Sequence, residues 1–380
     1  MPMKPIVYID PQSYKNLAIY DHSLLSNLEG KIHYLCSTNY DYLPLPPEVE
    51  QHKIFCYNNK KSNLVKVISY LWSYFRIFFM LLKWQPQVIH LQWLRLPTFD
   101  VLFMKLTKRV TGCKIVFTAH NILPHKKGDS TFDFKEDYRK MYQLADAVIV
   151  HTQSTKTELQ STFNIAEGKV HVINHGLLNI TYDPILLKQQ EKQFNDHYMT
   201  ENCFIFSALG FQYDYKGVDL LVEMWKNTPE FRDNTHYKLL LIGKNRGVDL
   251  SAADGIENII VEDREVSDEE FYYLLTHTDV YVMPYKKISQ SGALMSTITT
   301  GTPMLVTETG GLTEPFEIAQ IGWTIPANDT SALREKMLWL VKHPEEINKV
   351  RDNHEAWEKV RSHYSWENIG RQTLLLYHHL

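Results

Sequence analysis

Several signatures that would fix a function at once are missing from this chain of 380 residues. It has no Asp-x-Asp pair, the usual carboxylate bridge between a metal ion and a diphosphate. It also has no Gly-x-Ser-x-Gly, P-loop or His-Glu-x-x-His motif, which removes the sequence support for α/β-hydrolase, P-loop and zinc-peptidase chemistry. Cysteine is scarce, and Cys36, Cys56, Cys113 and Cys203 lack the spacing of metal or redox pairs. We interpret them as free thiols in a reducing compartment.

Neither sign of charge is in large excess, since the formal net charge is -4 and both signs are interspersed. We therefore expect no nucleic-acid partner. No signal peptide is predicted, because Asp10 interrupts any apolar segment near the N-terminus. The length suits about two domains of ~100–200 residues each. The expected location is the cytoplasm.

Long apolar runs are also lacking, with one exception at Leu64 to Leu82, which is rich in Tyr, Trp, Phe, Leu and Ile. This segment is almost long enough to span a bilayer, but Lys66 and Arg76 lie inside it, and charges at mid-membrane are costly. Two other interpretations are favoured. The segment is a helix packed on a sheet, or it lies in the membrane interface with its aromatic side chains inserted. The two are compatible if one face packs and the other touches lipid.

Short apolar runs alternate with helix-periodic segments along both halves, which predicts parallel sheets covered by helices on both faces. Strands are predicted at 6–9, 32–35, 53–57, 88–91, 114–118, 147–151 and 170–173, and then at 204–209, 238–242, 259–261, 280–283, 304–306 and 322–325. The polar stretch 177–202 is interpreted as the connection between domains. The predicted fold class is α/β, with two doubly wound, Rossmann-like domains that face a cleft. Their predicted bounds are 1–180 and 181–362, and a last helix at 363–380 is expected to pack back on the first domain.

The most informative stretch runs from Pro284 to Leu294. An apolar strand there ends in Ser289-Gln-Ser-Gly292, and this loop opens a helix. A helix that begins at the carboxyl edge of a parallel sheet presents free N–H groups that bind phosphate well. Gly310-Gly311, after the next strand, allows close backbone approach at the same edge. The stretch predicts a site for a phosphate-bearing ligand.

A series of motifs in both halves resembles a known family. The motifs are Thr118-Ala-His-Asn121, Pro124-His125, Ala145-Asp-Ala147, His151-Thr152, Ile173-Asn-His-Gly176, Tyr215-Lys-Gly-Val-Asp219, Ser289-Gln-Ser-Gly292, Gly301-Thr-Pro303 and Gly310-Gly-Leu312. In this order they are similar to those of the retaining GT-B glycosyltransferases of family 4, especially enzymes that build bacterial capsular, exopolysaccharide or O-antigen chains. The resemblance implies a nucleotide-sugar held mainly by the C-terminal domain and a glycan or glycolipid acceptor held mainly by the N-terminal domain.

The resemblance also implies roles for charged residues of the second half. Lys216 would neutralise the donor diphosphate and stabilise the leaving group, which makes it a candidate catalytic residue. The family's usual partner is an Arg where this chain has Phe211. Lys244 or Arg246 is a candidate replacement. A solvated lysine at a helix start is the alternative for Lys216.

Further candidate donor-binding residues follow from the same likeness. Ser296 stands where relatives carry the Glu that holds the ribose hydroxyls, and it keeps at most one hydrogen bond of that contact. The alternative is that Ser296 is an ordinary helix residue. Glu314 holds a donor hydroxyl or caps its helix. Gly210 is a further candidate. The loop at 289–292 and the helix start after it complete the set with Ser289, Gln290, Ser291, Gly292 and Ala293.

In the first half, His120 follows an apolar strand, and the family uses this histidine at the donor sugar or in the transfer itself. It is the second candidate catalytic residue; the alternative is a histidine that caps its strand. Candidate acceptor contacts on the same edge are Asp10, Lys15, Asn121 and His125.

We therefore expect a retaining hexosyltransferase that acts on a saccharide acceptor carried by a polyprenyl diphosphate, at the inner face of the cell membrane. No cofactor and no metal ion are expected, since Lys216 and the helix N-terminus would supply the electrostatic stabilisation. A GT-B nucleotide-sugar epimerase or hydrolase, and a non-catalytic glycan-binding relative, remain alternatives. Phe211 and Ser296 are the departures that keep the last of these open.

Overall fold

A computed structural model describes residues 4–14, 16–56, 62–123, 134–198 and 203–380. Its contacts divide the chain into two domains, one formed by Met1–Gly176 with Tyr364–Leu380 and the other by Leu177–His363. The sequence placed these divisions after residues 180 and 362.

The first domain contains a seven-stranded, fully parallel sheet. Its strands are β1 (Ile6–Asp10), β2 (Ile32–Ser37), β3 (Val49–Phe55), β4 (Val88–Leu91), β5 (Lys114–Thr118), β6 (Ala147–Val150) and β7 (Val170–Val172), in the order β3-β2-β1-β4-β5-β6-β7. The helices are α1 (Asn16–Leu25), α2 (Asn63–Trp84), α3 (Pro97–Thr111), α4 (Lys135–Leu144) and α5 (Gln153–Phe163), joined by α15 (Trp366–His379) from the end of the chain. A short 3₁₀ turn, Glu167–Lys169, precedes β7.

Both faces of this sheet are covered, because its central strands are apolar on both sides. Every residue of β1 is buried, and two separate clusters of buried side chains lie on the two faces. Ile369, Leu376 and Tyr377 of α15 belong to one of these clusters, and the Tyr377 hydroxyl lies 2.6 Å from Nδ1 of His90 on β4. The last helix is thus a structural part of the first domain.

The second domain contains a six-stranded parallel sheet. Its strands are β8 (Phe204–Ser207), β9 (Tyr237–Ile242), β10 (Ile259–Glu262), β11 (Val280–Met283), β12 (Met304–Thr307) and β13 (Gly322–Ile325), in the order β10-β9-β8-β11-β12-β13. The helices are α6 (Pro184–Tyr198), α7 (Val218–Lys226), α8 (Pro229–Arg232), α9 (Asp268–His277), α10 (Gly292–Thr300), α11 (Glu314–Ile318), α12 (Thr330–Lys342), α13 (Pro344–Arg351) and α14 (His354–His363). Two 3₁₀ turns are Asp214–Lys216 and Ser251–Ala253.

The predicted class, two doubly wound α/β domains, is confirmed, and two local predictions are wrong. The supposed connection 177–202 contains helix α6, whose Phe194 and Tyr198 are buried. The strand predicted at 53–57 runs instead from Val49 to Phe55 and forms the edge of its sheet. Its polar centre, Glu50 to Lys53, is what an edge strand tolerates and what hides it from an apolar pattern.

Helix α2 has two unlike faces. Tyr74, Ile77 and Leu81 are fully buried in the first domain, as a sheet-covering helix requires. The other face is exposed and apolar, with Trp72 61% exposed, Phe75 54% and Phe79 55%. Among the described residues, α2 is the one helix with the length and composition to cross a membrane. We call the exposed apolar side chains of α2 the aromatic face.

Candidate functional site

The predicted donor-binding residues all lie in the second domain, in loops at the carboxyl ends of β8, β9, β11 and β12 or on α10 and α11. In this sheet the strand order reverses between β8 and β11. The carboxyl end of such a reversal is where open α/β sheets bind ligands. The fold therefore brings the sequence-predicted residues of this half to one edge.

Ser291 caps helix α10. Its side chain is buried and accepts a hydrogen bond from the Leu294 N–H (3.4 Å), and its hydroxyl lies 3.4 Å from the Tyr285 hydroxyl. Gly292 and Ala293 follow as the first helical residues, whose N–H groups have no acceptor within a helix. The start of α10 therefore offers donors for an anion at the sheet edge.

The Gly310-Gly311 turn after β12 braces this loop. Gly311 N–H donates to the Ser289 carbonyl at 3.1 Å, and a Cβ at Gly310, whose φ is 56°, would overlap the Ile288 carbonyl oxygen. Only glycine adopts that conformation at so close an approach. The loop that precedes α10 is thus fixed by its neighbour as well as by its own cap.

Lys216 ends the 3₁₀ turn that precedes α7, and its Nζ lies 5.9 Å from the centroid of the Tyr285 ring. Burial lowers the pKa of Lys216 to about 8. No carboxylate partner of its Nζ is found among the described residues. A desolvated cation with no anion of its own favours an incoming anion, because desolvation strengthens their attraction.

The backbone around Lys216 is held by the loop after β11. Lys286 N–H donates to the Tyr215 carbonyl at 2.8 Å, and Lys286 Nζ contacts both Asp214 and Asp219 at 2.8 Å. A Cβ at Gly217 would overlap the Pro284 carbonyl oxygen. Sequence reasoning missed Tyr285 and Lys286 as supports, and no local pattern signals them. They fix where Lys216 stands relative to the start of α10.

Gly210, Lys244 and Arg246 lie in two loops that hydrogen-bond to each other. Gln212 N–H donates to the Lys244 carbonyl at 3.0 Å, and Arg246 N–H donates to the Gln212 carbonyl at 2.8 Å. Lys244 Nζ pairs with Asp263 at 3.0 Å. The Arg246 guanidinium instead lies over the Phe211 ring, 4.9 Å from its centroid. Of the two candidate replacements for the missing Arg, Arg246 is the one that forms no ion pair among the described residues, while its charge acts on Asp263 only at longer range.

Three buried oxygen atoms, two in these loops and one in the first turn of α7, have no hydrogen-bond partner among the described residues. They are Gln212 Oε1, Asp219 Oδ1 and Gln290 Oε1. Unsatisfied buried acceptors are costly in a folded protein unless ordered water or a ligand supplies the hydrogen-bond donors. Gln290 was predicted to contact the nucleotide-sugar, whereas Gln212 and Asp219 were not. Ser296 lies buried on the second turn of α10, and Glu314, half-buried, begins α11.

In the first domain, His120 follows β5 and is part of a hydrogen-bonded cluster. Its Nε2 lies 2.8 Å from Gln92 Oε1, and its Nδ1 lies 3.2 Å from Nε2 of His151. The ring stacks on Trp93 at 4.7 Å between centroids. Burial, and then the neighbouring histidines, lower the pKa of His120 well below its usual value. His120 is therefore neutral at pH 7.

The protons of this cluster are coupled. Nδ1 of His151 lies 2.9 Å from the Ile173 carbonyl, so it carries the proton and leaves Nε2 as an acceptor for His120 Nδ1–H. His120 Nε2 is then a lone pair, which requires the NH₂ group of Gln92 rather than Oε1. If Oε1 faces His120, one of the two rings, His120 or His151, must be doubly protonated, which the burial of both opposes. For His120 Nε2 to contact a substrate, the Gln92 side chain must first move away from it.

Of the four predicted acceptor contacts, the structure describes Asp10 and Asn121. Asp10 ends β1 but is 1% exposed, and its carboxyl lies against that of Asp21. Burial first, and then Asp21, raise the pKa of Asp10 well above its usual value, while Asp21 accepts from Tyr8 and Tyr34. Asn121 is half-buried in the turn after β5. Lys15 and His125 lie outside the described residues.

Comparison with known proteins gives consistent matches. Residues 30–177 match the family model of Glycosyltransferase Family 4, and residues 202–343 match that of Glycosyl transferases group 1. Two uncharacterized glycosyltransferases of Methanocaldococcus jannaschii are 25% identical over 252 residues and 23% identical over 210 residues. These alignments cover 63% and 52% of this chain and 62% and 50% of the relatives, so the chain spans about half to three-fifths of their length.

Solved structures agree over nearly the whole chain. A glycosyltransferase from Rickettsia africae has a TM-score of 0.69 at 14% identity, covering 99% of this chain and 98% of its own. Sucrose-phosphate synthase from Thermosynechococcus elongatus has a TM-score of 0.69 at 16% identity, with the same coverage. HepE of Anabaena, in complex with UDP-glucose, has a TM-score of 0.67 at 12% identity and covers 99% of this chain and 100% of its own. At such identities the likeness shows the fold, which is GT-B.

Proposed function

We propose that this chain, whose two halves match models of Glycosyltransferase Family 4 and of Glycosyl transferases group 1, is a glycosyltransferase that transfers a hexose-type sugar from a nucleotide-sugar to a saccharide acceptor. The observation that carries the proposal is the paired support of Lys216 and the start of α10 by the loop after β11. That arrangement offers an unpaired cation and free N–H groups at one sheet edge, which is what a diphosphate needs.

The proposed reaction places developing charge on this edge. As the bond between the anomeric carbon and the diphosphate oxygen breaks, negative charge grows on the leaving diphosphate, and Lys216 and the Gly292 and Ala293 N–H groups stabilise it. The acceptor hydroxyl forms the new bond to the anomeric carbon, and its proton passes to the leaving diphosphate oxygen. By resemblance the anomeric configuration is retained. Arg246 supplies the second positive charge in place of the absent family Arg.

The donor and the metal requirement are part of the proposal. HepE of Anabaena binds UDP and UDP-glucose, which supports a nucleotide-sugar donor here. We propose that transfer needs no metal ion, because Lys216, Arg246 and the helix start carry the positive charge that a metal would otherwise bring.

The proposed acceptor is a glycan linked to polyprenyl diphosphate, in the synthesis of a surface polysaccharide at the inner face of the cell membrane. Its support is the aromatic face, whose side chains are too exposed to serve the core of the first domain. Aromatic side chains on one side of a helix, with Lys83 in its last turn, suit the interface between headgroups and acyl chains.

The test is a panel of nucleotide-sugars, with release of the nucleotide measured with and without a glycan acceptor. A transferase releases nucleotide from one donor and does so faster when its acceptor is present. An epimerase or hydrolase acts with water alone. A glycan-binding relative releases no nucleotide from any donor, and that result would overturn the proposal.

A further inference from the structure

Three side chains that the transfer reaction does not use converge on one face of the edge of the first sheet. His33 on β2 is the register partner of Glu50 on β3. His52 lies two residues further along β3, so it points to the same face as Glu50. The cluster is formed by neighbouring strands of one sheet, and its geometry is set by their register.

The separations of the ligand atoms suit a single small cation. Nδ1 of His33 lies 3.3 Å from Nε2 of His52 and 3.2 Å from Oε2 of Glu50, while Nε2 of His52 lies 3.4 Å from Oε1 of Glu50. Tetrahedral Zn²⁺ with bonds of about 2.0–2.1 Å places its ligand atoms about 3.3–3.4 Å apart. The two nitrogens are therefore separated as two ligands of one such ion would be, and each of them is at a similar distance from one of the two oxygens of the Glu50 carboxylate.

Without a metal ion, His33 Nδ1–H and His52 Nε2–H can each donate to a different oxygen of Glu50. When both nitrogens are deprotonated, one cation can take the place of these two protons. Lys31 Nζ, at 3.9 Å from Glu50, is an exposed neighbour and gives a weak pairing. A cation would accept all three lone pairs at once.

The cluster is held in place before any ion binds. His33 is 1% exposed, and its ring stacks on Trp84 of α2 with centroids 3.8 Å apart and planes 4° apart. Glu50, by contrast, has a side chain that is 52% exposed. Two fixed nitrogen ligands and one carboxylate that faces solvent leave the fourth position open to water.

We propose that His33, Glu50 and His52 bind one Zn²⁺ ion, with water as the fourth ligand, and that this ion fastens the edge strand β3 to β2. Two imidazoles and a carboxylate are a ligand set that zinc favours. The site lies among strands of the first domain, and the proposed transfer uses none of its residues. The zinc site can therefore be tested independently of the proposed function.

The test uses the full chain after removal of metals with a chelator. Co²⁺ is titrated first, because tetrahedral Co²⁺ absorbs visible light strongly, and Zn²⁺ is then used to displace it. We expect one equivalent of Co²⁺, a tetrahedral spectrum and full displacement by Zn²⁺. Glu50→Gln and His52→Ala should each weaken binding by about 100-fold or more, since each removes a ligand. Both side chains are partly or largely exposed, so folding should survive.

His236→Ala is the matched control, because it removes an exposed histidine from the second domain. It should leave the stoichiometry, spectrum and affinity unchanged. A second measurement is thermal unfolding, which excess Zn²⁺ should shift upward in the wild type and in His236→Ala but not in His52→Ala. Absence of a tetrahedral Co²⁺ spectrum in the wild type would overturn the site. Binding of Co²⁺ by Glu50→Gln and His52→Ala with the affinity of the wild type would also overturn it.

Discussion

The Arg246 guanidinium lies over the Phe211 ring, with 4.9 Å between the guanidinium carbon and the ring centroid. By the resemblance described above, Phe211 stands where family 4 enzymes carry an arginine, and its ring contacts a cation from the loop after β9. A cation stacked on an aromatic face keeps its N–H groups directed outward along its plane. The positive charge is thus present at this edge although the chain position that supplies it differs.

The first prediction follows from that pair. Arg246→Ala should raise the KM for the nucleotide-sugar by about 10- to 100-fold, the cost of a lost charge-assisted hydrogen bond. The double variant Phe211→Arg with Arg246→Ala should recover most of the loss by returning arginine to the family position. Arg232→Ala, which removes an exposed arginine paired with Asp233, should leave steady-state kinetics unchanged. Failure of the double variant to recover would mean that Arg246 acts in another way.

Lys216 carries the second prediction. Lys216→Ala should lower kcat by about 10- to 1,000-fold, because the side chain stabilises charge that develops in the transition state. Lys226→Ala, at an exposed position at the end of α7, is the control and should turn over normally. Wild-type turnover by the Lys216 variant with the correct donor would remove this residue from the mechanism.

A pH dependence is the third prediction. Burial lowers the pKa of Lys216 from its usual value near 10.5 to about 8. Its charged form binds the diphosphate, and deprotonation sets in as pH rises through about 8, so kcat/KM for the donor should fall above that pH. Lys216→Ala should abolish this fall, whatever its absolute rate. A profile of kcat/KM against pH for the two proteins checks it, and a flat wild-type profile from pH 7 to 9 would contradict it.

The fourth prediction separates the transfer reaction from the zinc site. Sugar transfer should survive saturating EDTA when it is measured well below the melting temperature, because Lys216, Arg246 and the start of α10 supply the charge. Thermal stability should fall in the same sample as the ion leaves β2 and β3. Loss of transfer with EDTA, and its return with Mg²⁺ or Mn²⁺, would refute the metal-free mechanism.

The fifth prediction concerns the aromatic face. The wild-type protein should float with anionic vesicles at low salt and dissociate as salt screens the lysines. Replacing Trp72, Phe75 and Phe79 with Ala should weaken vesicle binding by at least about tenfold through the lost apolar burial. Transfer to a short soluble acceptor should be unaffected, because the proposed donor site lies in the second domain.

Two variants complete the vesicle experiment. Ile185→Ala removes an exposed apolar side chain from the second domain and should bind vesicles normally. Lys83→Glu should weaken binding by reversing a charge in the last turn of α2; Lys60 and Lys61, predicted to act with it, lie outside the described residues. No flotation of the wild type would leave the aromatic face without a lipid role.

The fold was predictable where local signals agree with packing. The segment from β11 to β12 combines a buried apolar strand, a serine cap, a short helix and a glycine at its end, and each of these is visible in sequence. β3 was misplaced because its centre is polar on a sheet edge, where one side has no strand to bury it. Helix α6 was missed because it is mostly exposed and anchored by few buried residues.

The candidate site was predictable only in part, for a related reason. Lys216 and the loop at 289–292 stand out through their neighbours in the chain. The pairing of Arg246 with Phe211 depends on β8 and β9 lying side by side, and the support of Lys216 by Lys286 depends on β8 and β11 doing so. Such contacts depend on the order of the strands in the sheet, which is difficult to predict from a single sequence. The cluster of His33 and His52 escaped notice for the same reason, since its register was unknown.

The return of helix α15 has a consequence for synthesis of the chain. The first domain needs Ile369, Leu376 and Tyr377 to complete one face of its core, yet its other strands and helices have all been translated by Gly176. While the whole second domain is being made, the nascent first domain stands with that face open and prone to association with other chains. Premature termination after His363 would therefore harm the domain made first rather than the one made last.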